Sequence, residues 1–224
     1  MPFDLVGFTF QMIAFLFAIS VHESAHAWTA SRCGDPTARM LGRVSLNPIR
    51  HIDPIGTVLL PLVAAISHIP VLGWAKPTPV DPRNFRNPVM DDILTSVAGP
   101  VSNFIVATAA LLLLGGFSLS SQTGRAIVLG LPMGLTSDSA LFSFAKLLFE
   151  LMLINVVLAV FNLIPVPPLD GSHVIRHFMS DPVRRVYDSI GIFGLLALVY
   201  LSGGLLFRVI APFERFYISM LMRF

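Results

Sequence analysis

Residues 5–29 read LVGFTFQMIAFLFAISVHESAHAWT. No charged side chain interrupts this stretch before Glu23, and as a helix it would cover roughly 37 Å, enough to cross a bilayer. Its far end is different in kind, because His22, Glu23 and His26 crowd into five residues of an otherwise apolar segment. Further along, uncharged windows run from Pro54 to Ala75, Ile93 to Gly124, Leu151 to Leu169 and Ser189 to Phe207. Each reaches or approaches the roughly 20 residues of a spanning helix. Across the 224 residues, 54% are hydrophobic and 12% charged, with mean hydropathy +0.77. A soluble domain carries about twice that charged fraction, so a water-soluble globule is excluded, as are disordered and disulfide-rich secreted classes. The expected fold is an all-α polytopic membrane protein, a bundle of about five to six transmembrane or re-entrant helices. One membrane-embedded domain over residues 1–224 is expected, with its core at about 5–180 and C-terminal helices at about 186–224.

Charge placement orients the chain. Arg32, Arg39, Arg43 and Arg50, then Lys76, Arg83 and Arg86, then Arg176, Arg184 and Arg185 fall in three stretches between apolar windows. The positive-inside rule puts all three on the cytoplasmic face. Pro54–Leu72 then has both flanks inside, and Pro54, Pro61 and Pro70 interrupt it, so a re-entrant hairpin or half-helix is expected, with a kinked crossing as the alternative. The tail from Arg208 suits an interfacial amphipathic helix or a sixth crossing. Asp4 stands where a secretory leader would be basic, and a discarded leader has no need of His22, Glu23 and His26. A net charge of +2 with scattered basic residues gives no nucleic-acid patch, and a single cysteine, Cys33, excludes an internal disulfide.

His22-Glu23-Ser24-Ala25-His26 is an H-E-x-x-H string. Residues four apart share a helical face, so both imidazoles can reach one zinc ion with Glu23 beside it. The chain's own His and Glu frequencies give roughly 0.002 such strings by chance. Polar residues that only glue helices together would explain one histidine well and this trio poorly. A catalytic zinc normally takes three protein ligands. The third candidate is Asp170, in Asn162-Leu163-Ile164-Pro165-Val166-Pro167-Pro168-Leu169-Asp170-Gly171, where the prolines end a helix and impose extended backbone. Irregular backbone at membrane depth lines a cavity or is buried in protein. His22 and His26 precede Arg32 by roughly 9–15 Å of helix, which puts the site inside the bilayer near its cytoplasmic boundary, between the first and fourth spanning helices.

H-E-x-x-H on one membrane helix and N-x-x-P-x-x-P-L-D-G on a later one resemble the site-2 protease family of intramembrane zinc metalloproteases. Weaker support comes from Ala98-Gly99-Pro100, from Asn47-Pro48, His51, Asp53-Pro54 and Gly56-Thr57, and from Gly73-Trp74-Ala75-Lys76-Pro77, which are similar to short members without a PDZ or CBS domain. The resemblance covers about residues 15 to 175. It implies one zinc per chain on His22, His26 and Asp170, with Glu23 as general base on zinc-bound water and Asn162 positioning substrate or stabilising the oxyanion. It also implies a transmembrane protein or peptide as substrate, within a bilayer. Homo-oligomerisation is left open. The compact build suggests a prokaryotic inner membrane. The alternatives are a membrane metal-ion transporter, which would favour paired broken helices in both halves, and a non-proteolytic scaffold, against which the intact His22, Glu23, His26 and Asp170 weigh.

Several other residues carry expectations. Gly73–Val80, with prolines at 77 and 79, is a candidate backbone edge on which an unwound substrate could pair. His173 and His177 could extend Asp170 into a second metal set, although solvated surface histidines are the default. His51 and Asp53 could orient a zinc ligand or cap the re-entrant segment. His68 suits an interface. Lys146 and Glu150 suit an ion pair within one helix, and Asn103 either touches the site or bonds across helices.

Overall fold

The computed structural model describes residues 4–67, 73–201 and 204–224, so His68 and Pro70 lie outside the described residues. Their regular secondary structure is all helical, with no strand among the described residues. Helix α1 spans Leu5–Cys33. Asp4 caps it by accepting from the Gly7 N–H at 2.9 Å, and Gly34 ends it at φ 115°. A side chain at Gly34 would also strike the Asn84 carbonyl, with a Cβ only 2.8 Å away, so this stop requires glycine twice over. A single turn, α2 (Thr37–Met40), follows.

Asp53 then caps a wide, π-type turn over Pro54–Leu59 that runs into α3, Leu60–Ser67. The described part of this apolar piece, residues 54–67, is shorter than the roughly 20 residues of a spanning helix. Extended backbone over residues 73–81 leads to α4, Pro88–Ser120, which starts with proline at its first position under an Asn87 cap. The stretch after α4 carries another helix, α5 (Gln122–Gly130), capped by Ser121. Helix α6 spans Ala140–Asn162 and stops ahead of the proline run. Beyond it lie α7 (Asp170–Arg176), α8 (Asp181–Leu196) and α9 (Leu205–Leu221).

Helices α1, α4 and α6 are each long and apolar enough to span a bilayer. The window Ser189–Phe207 does not form one straight crossing. Gly191 leaves helical geometry at φ 49°, a wide turn follows at Ala197–Leu201, and Gly204 restarts the chain at φ 87°. Helices α8 and α9 are long and apolar enough to span only taken together, as a pair bent by 76°.

Helices α1, α4 and α6 pack against one another. Ala107, Ala110, Leu111 and Leu114 of α4 meet Ala145, Phe149, Met152 and Val156 of α6, and Ile210, Tyr217 and Leu221 of α9 close the cluster. On α1 the buried contacts are made by Ala14, Ala18, Ala27 and Ala30. Lipid chains are as apolar as leucine, so close approach through small residues is what holds such helices together. Lys146 Nζ and Glu150 Oε1 form the expected pair at 2.7 Å on α6.

Candidate metal centre

One stripe of α4 organises the centre. Asp92, Thr95, Gly99 and Asn103 recur at helical spacing along the face turned to α1 and α7. His22 Nδ1 lies 2.6 Å from Asn103 Oδ1, and His26 Nδ1 lies 2.7 Å from the Thr95 carbonyl oxygen. Gly99 sits between them, and a Cβ there would fall 2.4 Å from His26 Nε2 and 2.6 Å from His22 Cε1. The absent side chain is the space the two rings occupy.

The protons can be assigned from these partners. The Thr95 carbonyl can only accept, so His26 Nδ1 carries the hydrogen. Asn103 Nδ2 donates to the Ala18 carbonyl at 3.3 Å and to Asn155 Oδ1 at 2.7 Å, while Asn155 Nδ2 donates to the Leu151 carbonyl at 2.8 Å. Two backbone carbonyls thus set the direction of the whole chain. Asn103 presents its oxygen to His22, and His22 Nδ1 carries the hydrogen too. In both neutral rings Nε2 is left with a lone pair.

Those lone pairs converge. The Nε2 atoms are 3.0 Å apart, and Asp170 Oδ2 lies 3.2 Å from that of His22 and 3.4 Å from that of His26. Asp170 Oδ2 is buried and has no hydrogen-bond donor among the described residues. Three acceptors facing one point repel unless a cation sits among them. Ligands on a tetrahedral zinc at about 2.0–2.1 Å would stand about 3.3–3.4 Å apart, close to these separations, so the donor set fits that ion. It is the one such group among the described residues.

Asp170 is not on extended backbone, as the proline run implied. The proline run is instead a series of turns and bends over residues 163–169, and Asp170 is the first residue of α7. A helix start suits a carboxylate, because the free N–H groups there favour negative charge. Asp170, His173 and His177 follow one face of that helix. His177 Nε2 lies 2.7 Å from Asp92 Oδ2, and His173 Nδ1 lies 3.9 Å from Asp92 Oδ1. His177 therefore ties α7 to α4, His173 stays half-exposed, and neither joins a metal group among the described residues.

Glu23 faces a cavity of about 750 Å³ that His22, His26, Asp170, Asn162 and Trp74 also line. Its Oε2 accepts from the Thr78 N–H at 2.9 Å and from the Thr78 hydroxyl at 2.7 Å. Asn162 stands in the wall but outside the cluster, with Nδ2 donating to the Leu158 carbonyl at 3.0 Å.

Buried Arg43 holds the extended 73–81 stretch by donating to the carbonyls of Lys76 and Pro77. His51 is fully buried and donates from Nε2 to the Ser45 carbonyl, and burial holds it below its ordinary value. The hydrogen bonds of His51 and Asp53 reach neither His22 nor His26. Asp53 caps the wide turn through the Ile55 and Gly56 N–H groups, and the orienting role falls to Asn103 and Thr95. The sequence signal for Asn103 and Asn155 is amide groups in apolar helices. Thr78, 55 residues from Glu23, gives no local signal.

Comparison with known proteins agrees with this geometry. The model of peptidase family M50 matches residues 10–202. YwhC of Bacillus subtilis strain 168, named as a candidate zinc metalloprotease, is 36% identical over 192 residues, covering 86% of this chain and 79% of its own. Rip2 of Mycolicibacterium smegmatis and Rip2 of Mycobacterium tuberculosis H37Rv, named likewise, are 26% and 27% identical over 202 residues, each covering 89% of this chain and 69% of its own. No solved structure matches. With the matched family spanning the paired histidines, the glutamate and the aspartate alike, the chain belongs to peptidase family M50, the site-2 protease family of membrane metalloproteases.

Proposed function

We propose that this protein is an intramembrane zinc endopeptidase that hydrolyses peptide bonds in or near transmembrane segments of other membrane proteins. The observation that carries the reading is the meeting of His22 Nε2, His26 Nε2 and Asp170 Oδ2, three acceptors whose other partners leave them aimed at one point. His22, His26 and Asp170 would hold the ion. Bound there, zinc supplies Lewis acidity, acidifying water and polarising a carbonyl oxygen.

The chain's own groups do the rest. Glu23 takes a proton from the attacking water on the oxygen that Thr78 leaves free, then delivers it to the departing amine nitrogen. Asn162, once its amide swings away from the Leu158 carbonyl, can donate to the carbonyl oxygen as charge builds there. A substrate helix hides its carbonyls in hydrogen bonds, so the cleaved stretch must unwind. Ala75 offers an N–H and a C=O with no partner among the described residues, beside the cavity, and an extended segment can pair there.

Orientation follows from charge. Arg86 N–H donates to the Cys33 carbonyl, and His177 meets Asp92, so the basic stretches after α1, before α4 and around α7 gather at one end of the bundle. By the positive-inside rule that end is cytoplasmic, with the site just within the bilayer of a prokaryotic inner membrane.

The test is metal content and cleavage of a fluorescent membrane peptide by wild type and Glu23→Gln. Both should bind about one zinc and only the wild type should cleave. Normal cleavage by the variant would sink the mechanism.

A further inference from the structure

Thr78 spends its polar donors on a single residue. Its N–H donates to Glu23 Oε2 at 2.9 Å, and its hydroxyl lies 2.7 Å from that same oxygen and 3.1 Å from the Glu23 main-chain carbonyl oxygen. Glu23 Oε1 has no partner among the described residues. The strap that carries Thr78 is held independently of it. Trp74 N–H donates to the Gly56 carbonyl at 3.1 Å, Lys76 N–H to the His51 carbonyl at 2.9 Å, and Arg43 binds the carbonyls of Lys76 and Pro77. Residues 74, 76 and 78 turn the same way, as alternate residues of extended backbone do, and Pro77 and Pro79 fix φ on either side. Thr78 is therefore delivered to Glu23 by a braced segment.

We propose that Thr78 is a positioning residue for the peptidase reaction: it pins Oε2 of Glu23, so that Oε1 alone meets the attacking water. This rests on Glu23 being the general base. The hydroxyl has one hydrogen and two acceptors, both on Glu23. While the carboxylate is charged, the hydrogen goes to Oε2, because bonds to ionised acceptors are the stronger ones. As the water's O–H bond breaks and its proton bonds to Oε1, the neutral carboxyl becomes a poorer acceptor, and the hydroxyl hydrogen turns to the main-chain carbonyl. It returns when Oε1 gives the proton to the leaving amine. Thr78 exchanges no atom; its hydrogen only rotates.

The experiment compares wild type, Thr78→Val, Thr78→Ser and Glu23→Gln in micelles with a fluorescent transmembrane peptide. It reads kcat, KM, zinc content, and peptide affinity of the metal-depleted protein. Thr78→Val keeps the backbone N–H bond and the shape but loses the hydroxyl. It should lower kcat roughly ten- to a hundredfold, with KM, zinc content and metal-depleted affinity unchanged. Thr78→Ser should recover kcat to within about threefold of wild type. Where valine does not fold, Thr78→Ala removes the same hydroxyl and carries the same expectation. A Val or Ala variant with wild-type kcat overturns the proposal, as does one that raises KM alone, the mark of a strap anchor. A serine variant as impaired as valine overturns it too. If those results come with a dead Glu23→Gln, only this inference falls; a fully active Glu23→Gln removes the parent reading with it.

Discussion

The Asn103 amide oxygen stands 2.6 Å from His22 Nδ1, and its amide nitrogen is tied to α1 through the Ala18 carbonyl and to α6 through Asn155. One side chain, fully buried on α4, thereby couples the packing of three spanning helices to the orientation of one imidazole. Replacing Asn103 with leucine keeps the volume and removes the hydrogen bonds. Losing the partner of a metal-binding histidine typically weakens metal affinity about 10–100-fold. Zinc retention of Asn103→Leu against a competing chelator should fall by that order, while Glu23→Gln retains zinc as wild type does. Equal retention by Asn103→Leu would show that the amide chain is only packing.

Gly99 makes the complementary prediction. Both histidine rings are fixed at Nδ1, so neither can swing from a methyl group placed 2.4–2.7 Å from their Nε2 and Cε1 atoms. Gly99→Ala should lose zinc and cleavage together while the helices persist by circular dichroism. Gly116, on the same helix with nothing within 4 Å of a built Cβ, is the control. Gly116→Ala should keep both zinc and activity, because a helical alanine costs nothing where space is open. A Gly99→Ala protein with full zinc would refute the fit described for the rings.

What could be read from the sequence was what is local. His22, Glu23 and His26 lie within one turn, so helical spacing alone aligns them, and the proline run before Asp170 announces a break. Asn103, Gly99 and Thr95 act only because α4 lies against α1, and no spacing within α4 says so. Thr78 reaches Glu23 through a strap whose path depends on Arg43 and His51. The α8–α9 region shows another limit. Apolar composition predicts a crossing there, but the positive φ at Gly191 and Gly204 divides it, and hydropathy does not see backbone geometry. Helix α5 starts on a Ser121 cap, a local feature that apolar windows do not mark.

Asp35 ties the end of α1 to the strap's far end, outside the spanning segments. Fully buried, it accepts from the Thr37 N–H and hydroxyl, from Asn84 Nδ2 at 2.9 Å and from the Asp81 N–H at 2.8 Å. Burial would raise its carboxyl, but these donors outweigh that and hold it below its ordinary value. The folded state thus prefers the ionised form. The stabilisation is complete above the unfolded value of about 4 and is lost as pH falls through the lower folded value. Asp35→Asn should cost about 1–3 kcal/mol at pH 6, and the gap to wild type should shrink as pH drops below about 4. Thermal unfolding in micelles at pH 6, 5, 4 and 3 checks this. A gap that stays constant would mean the charge of Asp35 is not what anchors the strap.

Trp74 tests the substrate edge. Its backbone is secured on both sides, with N–H to the Gly56 carbonyl and C=O from the Thr57 hydroxyl at 2.8 Å, so removing the ring leaves the strap attached. The ring lies over Gly56, where a built Cβ would come within 2.5 Å of it, and its half-exposed face lines the cavity one residue before the unpaired Ala75 amide. An unwound substrate paired at Ala75 would run beside the indole, which contributes apolar contact area at little entropic cost. Trp74→Ala should therefore lower cleavage mainly by raising KM, by roughly tenfold for the lost apolar burial, and should bind zinc like wild type. Zinc loss in this variant would mean that the ring supports the metal centre, and unchanged turnover at low substrate would mean that substrate does not pass this edge at all.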